Sequence, residues 1–419
     1  MSRWPLTPRG TGAVLIAVLC LILAQALGVP ALVFFGVLLL AAVGISLASL
    51  WVGHRDDGVR RSFAPSVVGV GGDVDVRARI ESRTLLPTVV GLWEDRLPRG
   101  IEGEPAGVYP GLRSGLIAGS HAVDVAYRVT ARRRGVRPIG PLVVQTTDPF
   151  GLARRTQQLG STVPLTVTPS IVELEALEDL PGAAGGTMQT TTNKLGEGAD
   201  NLIPRAYLPG DSMRRIHWRA SAHRGELMVR QEERESNPEA VVVFDRSLAR
   251  WSADALRAPG EDAGFEAAVS AVASATSRFV REGYAVSVVD VDGTELVETI
   301  DGGDSAALEA MVIGFATLTA RRDGSLSQVA PLFAGSTLGP VAVVTGEIDD
   351  ADAAALAPVV GHSSLPVLFA LGGEGDALRI AAEGGWRVRP LEAEDEIDRL
   401  WVDVARADFA AAERSRRAS

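Results

Sequence analysis

The sequence predicts an α+β multidomain protein built from an N-terminal transmembrane helical hairpin, an antiparallel β-sandwich-like domain and a C-terminal α/β domain. Three observations carry that expectation. Two long runs at the front are apolar and free of charge, the stretch behind them alternates apolar and polar residues, and beyond residue 239 short apolar strands alternate with helical spacing. At 419 residues the chain is long for one compact domain.

The first element is the hairpin, residues 1–61. Residues 12–29 are apolar except for Gln25, and 31–52 are apolar with only Ser46 and Ser49 as polar side chains. Each run covers most of a hydrocarbon core of about 30 Å. Gly28-Val29-Pro30 breaks the helix between them, so both ends emerge on one side. Arg3 and Arg9 precede the first span, and Arg55, Arg60 and Arg61 follow the second. The positive-inside rule then places the flanks and the soluble domains in the cytoplasm, on an inner (plasma) membrane crossed twice. A rival reading takes Ala24-Gln25-Ala26 as a signal cleavage site, which the second apolar run directly behind it weakens.

The second element is the β-sandwich-like domain, residues 62–175. Val74, Val76, Ala78 and Ile80 alternate with Asp73, Asp75, Arg77 and Arg79, as in a half-buried strand. Further strands are expected at 88–93, 122–131, 142–146 and 163–168, separated by Gly, Pro and Asp turns. The expected role is structural, holding the later domain at a set height above the bilayer.

Residues 176–239 form a linker plus a dense signature segment, and 240–419 the α/β domain. In the latter, strands are expected at 240–244, 284–291, 341–345, 365–370 and 386–389. Helices are expected at 264–281 and 305–318, with a closing helix over 393–414. From Val241 onward the net charge is −14, against +3 for residues 1–240. An acidic α/β domain argues against a nucleic-acid partner.

Composition excludes much chemistry. Cys20, the single cysteine, lies in the first apolar run, so disulfide scaffolds, zinc knuckles, iron–sulfur ligation and a soluble Cys nucleophile are ruled out. Lys194, the only lysine, follows Asn193, which excludes a P-loop. His54, His121, His223 and His362 are scattered, without metal-ligand spacing. Gly361-His362-Ser363 begins like a nucleophile elbow, but Leu365 stands where the second glycine is required.

The densest signal runs through Gly196-Glu197-Gly198, Arg205-Ala206-Tyr207-Leu208-Pro209-Gly210-Asp211, Arg215-Ile216-His217-Trp218-Arg219-Ala220-Ser221 and Arg224-Gly225-Glu226-Leu227. Pro209-Gly210 reads as a turn, Arg224-Gly225 as a helix end, and 227–230 as a strand. His217 beside Asp211 and Ser221 raises acid–base or nucleophilic chemistry. A structural or partner-contact role explains the segment better, and its basic residues are offset by Glu226, Glu232, Glu233 and Glu235.

That run resembles the signature of the domain of unknown function 58 family, with His223 where the pattern more often has Arg. Arg133-Arg134-Gly135, Gly140-Pro141-Leu142, Asp148-Pro149-Phe150-Gly151-Leu152 and Thr168-Pro169 are similar to features those proteins carry upstream. The resemblance marks Arg205, Tyr207, Gly210, Asp211, Arg215, His217, Trp218, Ser221 and Arg224 as signature and partner-contact residues. It implies a membrane hairpin, a β-rich middle and a von Willebrand factor type A-like C-terminal domain. It also implies a MoxR-type AAA+ ATPase partner and a transglutaminase-like membrane protein in the neighbourhood. No reaction is established for the family.

A von Willebrand A domain holds Mg²⁺ through D-x-S-x-S after its first strand and a later Thr, hard oxygen ligands that converge on one ion. Here the loop reads Asp245-Arg246-Ser247-Leu248-Ala249, with Thr345 in the later loop. Ala249 offers no oxygen, so Asp245, Ser247 and Thr345 make a degenerate metal site, with no other cofactor expected. The expectation is therefore a non-enzymatic membrane-anchored adaptor working with the ATPase in complex assembly, maturation or remodelling. The alternative is a divalent-metal-dependent binding protein or enzyme of unknown reaction.

Overall fold

The structure is a computed structural model, which describes residues 4–51, 58–82, 89–111, 121–174, 202–206, 216, 218–232, 238–334, 338–373 and 375–391. The expected closing helix over 393–414 lies outside these residues, as does most of the expected linker.

Two helices open the chain, α1 (Pro8–Leu27) and α2 (Pro30–Trp51). Their 20 and 22 residues give ~30 and ~33 Å at 1.5 Å per residue, enough to cross a bilayer. Thr7 caps α1 by accepting from Gly10 N, Pro8 supplies the fixed first turn, and Gly28 ends it at φ +64°. The helices meet through small residues, Ala17, Cys20, Ala24 and Ser46, all buried. Leu15, Ile22, Phe34, Leu38 and Ile45 point outward and are more than half exposed, an apolar surface left open among the described residues.

Among the described residues eleven strands follow, in three sheets. The first sheet orders β1 (Gly58–Ala64), β3 (Asp73–Ser82), β7 (His121–Ala131) and β5 (Ile101–Gly103). The second orders β10 (Arg154–Leu159), β9 (Leu142–Thr147), β4 (Val89–Asp95) and β6 (Ala106–Tyr109). Both are antiparallel. The third places β11 (Val163–Thr168) between β8 (Gly135–Ile139) and β2 (Val67–Gly69), and β2 pairs with β11 in parallel, which a purely antiparallel reading does not anticipate. Val74, Val76, Ala78 and Ile80 all point into the core, as their alternation predicts. A buried polar knot ties the first two sheets together. Arg61 on β1 forks onto Asp95 at the end of β4 (3.0 and 2.8 Å), and the Tyr127 hydroxyl on β7 donates to the same carboxylate (2.7 Å). Burial, then the Asp95 hydrogen bond, holds the Tyr127 phenol far above its ordinary range.

The hairpin β12 (Leu202–Ala206) and β13 (Met228–Glu232) encloses α3 (Trp218–Arg224). The C-terminal domain then winds β14 (Glu239–Phe244), β15 (Ala285–Asp290), β16 (Leu338–Ile348), β17 (Ser363–Gly373) and β18 (Arg387–Pro390) into one parallel sheet of order β15-β14-β16-β17-β18. Residues 295–300 run back antiparallel along β15. The helices are α4 (Asp254–Arg257), α5 (Ala263–Arg281), α6 (Ser305–Phe315), α7 (Val329–Leu332), α8 (Asp350–Leu356) and α9 (Ala377–Glu383). Both faces of the sheet are buried, which is why its strands read as continuous apolar runs. Val242, Phe244, Ala342, Val344 and Phe369 pack with α5 and α6, while Val243, Val341, Val343 and Leu368 pack with α7 to α9.

Candidate functional site

In an open parallel sheet, the crevice outside the carboxyl ends of the strands where the winding reverses is the natural ligand position. Here the reversal falls at β14, between β15 and β16. Asp245 follows β14 directly and Thr345 lies on β16, so the fold brings the three predicted metal residues together. Ser247 N and Oγ both donate to Asp245 Oδ1, Thr345 Oγ1 donates to Oδ2 at 2.9 Å, and all three residues are fully buried.

The cluster also holds arginines. Arg250 Nε lies 3.3 Å from Asp245 Oδ2, and its Nη2 donates to Asp352 at 2.6 Å. Arg246 turns away to Asp290 (2.8 Å), which Arg321 also approaches at 3.2 Å while donating to Asp292 at 2.7 Å. Burial pushes the Asp245 carboxyl up, opposed by the Arg250 charge and the hydrogen bonds from Ser247 and Thr345. This donor set does not fit a divalent ion. Both carboxylate oxygens are engaged, Ala249 contributes none, and a guanidinium already supplies positive charge at Oδ2. Among the described residues, no group of three or more His, Cys, Asp or Glu side chains is arranged to hold a metal.

Of the signature residues, Tyr207, Gly210, Asp211, Arg215 and His217 lie outside the described residues. Arg205 sits on β12, its backbone paired with Val229. Ser221 accepts from Met228 N at 2.8 Å, and its carbonyl accepts from Gly225 N, where φ +74° turns the chain out of α3 into β13. Ser221 thus ties helix to strand. Trp218 is 69 % exposed on α3 and Arg224 is exposed at its end, a surface suited to contact rather than to packing.

Two further sets of residues matter, and sequence reasoning assigned them no role. At one end of the β domain the apolar helical hairpin is fastened at both of its ends. Thr7 N donates to Leu152 O (3.0 Å), Arg154 N to Pro5 O (2.8 Å), and Arg155 Nη1 to Leu50 O (2.7 Å). Gly10 packs so closely on the Leu152 carbonyl that a Cβ has no room. At the other end, past β7, Arg134 enters the α/β domain. Its guanidinium, fully buried, forks onto Glu266 (2.8 and 2.7 Å), donates to Phe315 O (2.5 Å) and Leu318 O (2.8 Å), and lies 5.9 Å from the centre of the Phe265 ring. Arg133 pairs with Glu261 and Arg137 donates to Pro259 O beside it. Residues 172–174 run along α5, held by Ser274, Arg278 and Arg281. The cue in the sequence was the Arg133-Arg134-Gly135 run itself, whose burial only the tertiary structure reveals.

Fold and site together define a protein with two helices long and apolar enough to span a membrane, a β-rich middle and a parallel α/β domain with a buried Asp–Ser–Thr–Arg cluster at its switch point. Residues 204–307, from β12 through the signature and into α6, match the family described as "Protein of unknown function DUF58". No curated protein matches the chain. Among solved structures, it is similar to the Pseudomonas fluorescens alkylpurine DNA glycosylase AlkC bound to DNA containing an abasic site analog. That likeness has 15 % identity over 32 % of this chain and 37 % of that one, with a TM-score of 0.17. It is also similar to a Listeria innocua β-glucosidase in complex with glucose (12 % identity, 26 % of this chain and 16 % of that one, TM-score 0.13) and to Cwp6 from Clostridium difficile (8 %, 79 % and 52 %, TM-score 0.15). The chain spans well under half the length of the first two, and at these TM-scores none of the three carries an argument.

Proposed function

We propose that this protein is a non-enzymatic membrane scaffold that presents its α/β domain and signature hairpin, at a fixed height above the cytoplasmic face of the plasma membrane, to a MoxR-type AAA+ ATPase during assembly, maturation or remodelling of a complex. The observation that carries the reading is the double fastening of the β domain. β7 has eleven residues, so its ends lie roughly 33 Å apart at about 3.3 Å per residue. The hairpin docks near one end and Arg134 locks the α/β domain at the other, an arrangement that transmits position and force. The von Willebrand A-like reading of the last domain is supported by its strand order, its antiparallel edge and the convergence of Asp245, Ser247 and Thr345. The Arg250 guanidinium at that cluster favours recognition without metal over the metal-dependent alternative.

Affinity capture of the full chain from native membranes tests the partner. Co-purification of an AAA+ ATPase, reduced by Trp218→Ala, is the expected result. Repeated capture without any such ATPase overturns the proposal. Protease added to intact cells should spare the soluble domains, and added to inverted vesicles should cleave them; the opposite pattern removes the cytoplasmic placement.

A further inference from the structure

The loop Asp148-Pro149-Phe150-Gly151-Leu152 has no part in the cluster or the signature, yet it is built with care. Asp148 is fully buried and accepts from Phe150 N (2.9 Å) and Ala153 N (2.6 Å), while Gly151 takes φ +70° and donates to Asp148 O. This rigid turn does not bury its aromatic residue: Phe150 is 65 % exposed. The turn lies against the first turn of α1, through Thr7 Oγ1 to Gly151 O (2.6 Å) and Thr7 N to Leu152 O. Trp4, 59 % exposed, stands on the same stretch, and Arg154 Nε donates to its carbonyl at 3.1 Å. Thr7 precedes Gly12, where the apolar run of α1 begins, by five residues, or about 7.5 Å of helix at 1.5 Å per residue. That is the depth of the headgroup layer, where aromatic side chains with flanking arginines sit at membrane boundaries.

We infer that the Asp148–Leu152 loop is an interfacial anchor, with Phe150 inserted among the phospholipid headgroups and upper acyl chains of the bilayer that α1 and α2 cross. The occupant is lipid because the exposed ring stands on a turn hydrogen-bonded to the first turn of α1, the helix whose apolar run a bilayer would cover. The loop then fixes the tilt of the β domain, as a second point of attachment beside the helices. This inference rests on the reading that the hairpin spans the bilayer, and its test separates the two.

Single cysteines are placed at Phe150, at Leu38 in the middle of α2, and at Val136 on β8, near the far end of the β domain, in the full chain carrying Cys20→Ala. Each is nitroxide-labelled and reconstituted into vesicles of a three-to-one mixture of phosphatidylcholine and phosphatidylglycerol. The ratio of oxygen to nickel-chelate accessibility is then read by electron paramagnetic resonance. Expected is the highest ratio for Leu38→Cys, with Phe150→Cys intermediate and roughly threefold or more above Val136→Cys, as for a side chain at the headgroup boundary. A ratio for Phe150→Cys equal to that of Val136→Cys, with Leu38→Cys in lipid, overturns the anchor and leaves the hairpin standing. An aqueous ratio at Leu38→Cys overturns both.

Discussion

Arg134→Met removes the guanidinium while keeping most of the stem volume. The wild-type side chain makes two bonds to Glu266 and one each to the carbonyls of Phe315 and Leu318, all within 2.5–2.8 Å, and is completely buried. The variant leaves two buried carbonyls without this donor and a carboxylate that is only 23 % exposed without its counter-ion. Breaking a buried pair costs about 3–5 kcal/mol, and the residual solvent access of Glu266 places this one near the lower figure, about 3 kcal/mol. Glu266 keeps the Gly260 N–H as a donor, which works in the same direction. At ~1.4 kcal/mol per tenfold, amides at the start of α5 and the end of α6 should exchange about a hundredfold faster in the full chain. The comparison is Arg133→Met, whose ion pair with Glu261 is 43 % and 31 % exposed and should cost under ~1 kcal/mol. Equal exchange in the two variants would refute the clamp.

Three further outcomes follow from the same geometry. Arg250→Ser should strip the built-in cation from Asp245 and add a hydroxyl, so calorimetric titration with Mg²⁺ should reveal heat that the wild type lacks; identical traces would mean that Arg250 is not what excludes the ion. Arg61→Met should leave Asp95 buried with Tyr127 as its remaining side-chain donor in the knot, at a cost of about 3–5 kcal/mol, seen as a large drop in the melting temperature of the β domain; a shift as small as that of a surface variant would count against the knot. The hydrogen bond from Arg321, with the Thr294 N–H, holds the Asp292 carboxyl below its ordinary 3.8. A depressed folded-state value contributes stability above the unfolded value that is lost as pH falls through the folded one. Acid unfolding below about pH 4 should therefore be blunted in Asp292→Asn, and an unchanged acid limb would contradict the assignment. Asp245 has the opposite sign, since burial raises it and its ionised form weighs against folding as pH rises.

Much of the architecture was legible because burial imposes period on sequence. Residues 163–168 form a strand with the limits expected, and the five segments expected as strands after residue 239 are the five strands of the parallel sheet. What escaped were strands without such a pattern. β10, Arg-Arg-Thr-Gln-Gln-Leu, is polar because it lies at a sheet edge against the hairpin, and β5 and β6 are too short to show alternation. Charge misled in a different way. Arg61 reads as a topology signal beside the membrane, yet its side chain is 1 % exposed and holds Asp95. Arg246 is the cation nearest Asp245 in sequence, but it turns to Asp290, and Arg250, four residues on from it, faces the cluster. Which arginine finds which carboxylate depends on contacts between distant segments, and no local pattern encodes it.

The central claim is that the β domain is a rigid spacer between membrane and α/β domain. Pulsed electron–electron resonance measures it directly, in the full chain with Cys20→Ala, reconstituted in lipid nanodiscs and labelled at Val108→Cys on β6 and Glu309→Cys on α6, both exposed. The account predicts one narrow distance distribution, broadened by Arg134→Met. A broad or multimodal distribution in the otherwise unmodified chain would contradict it.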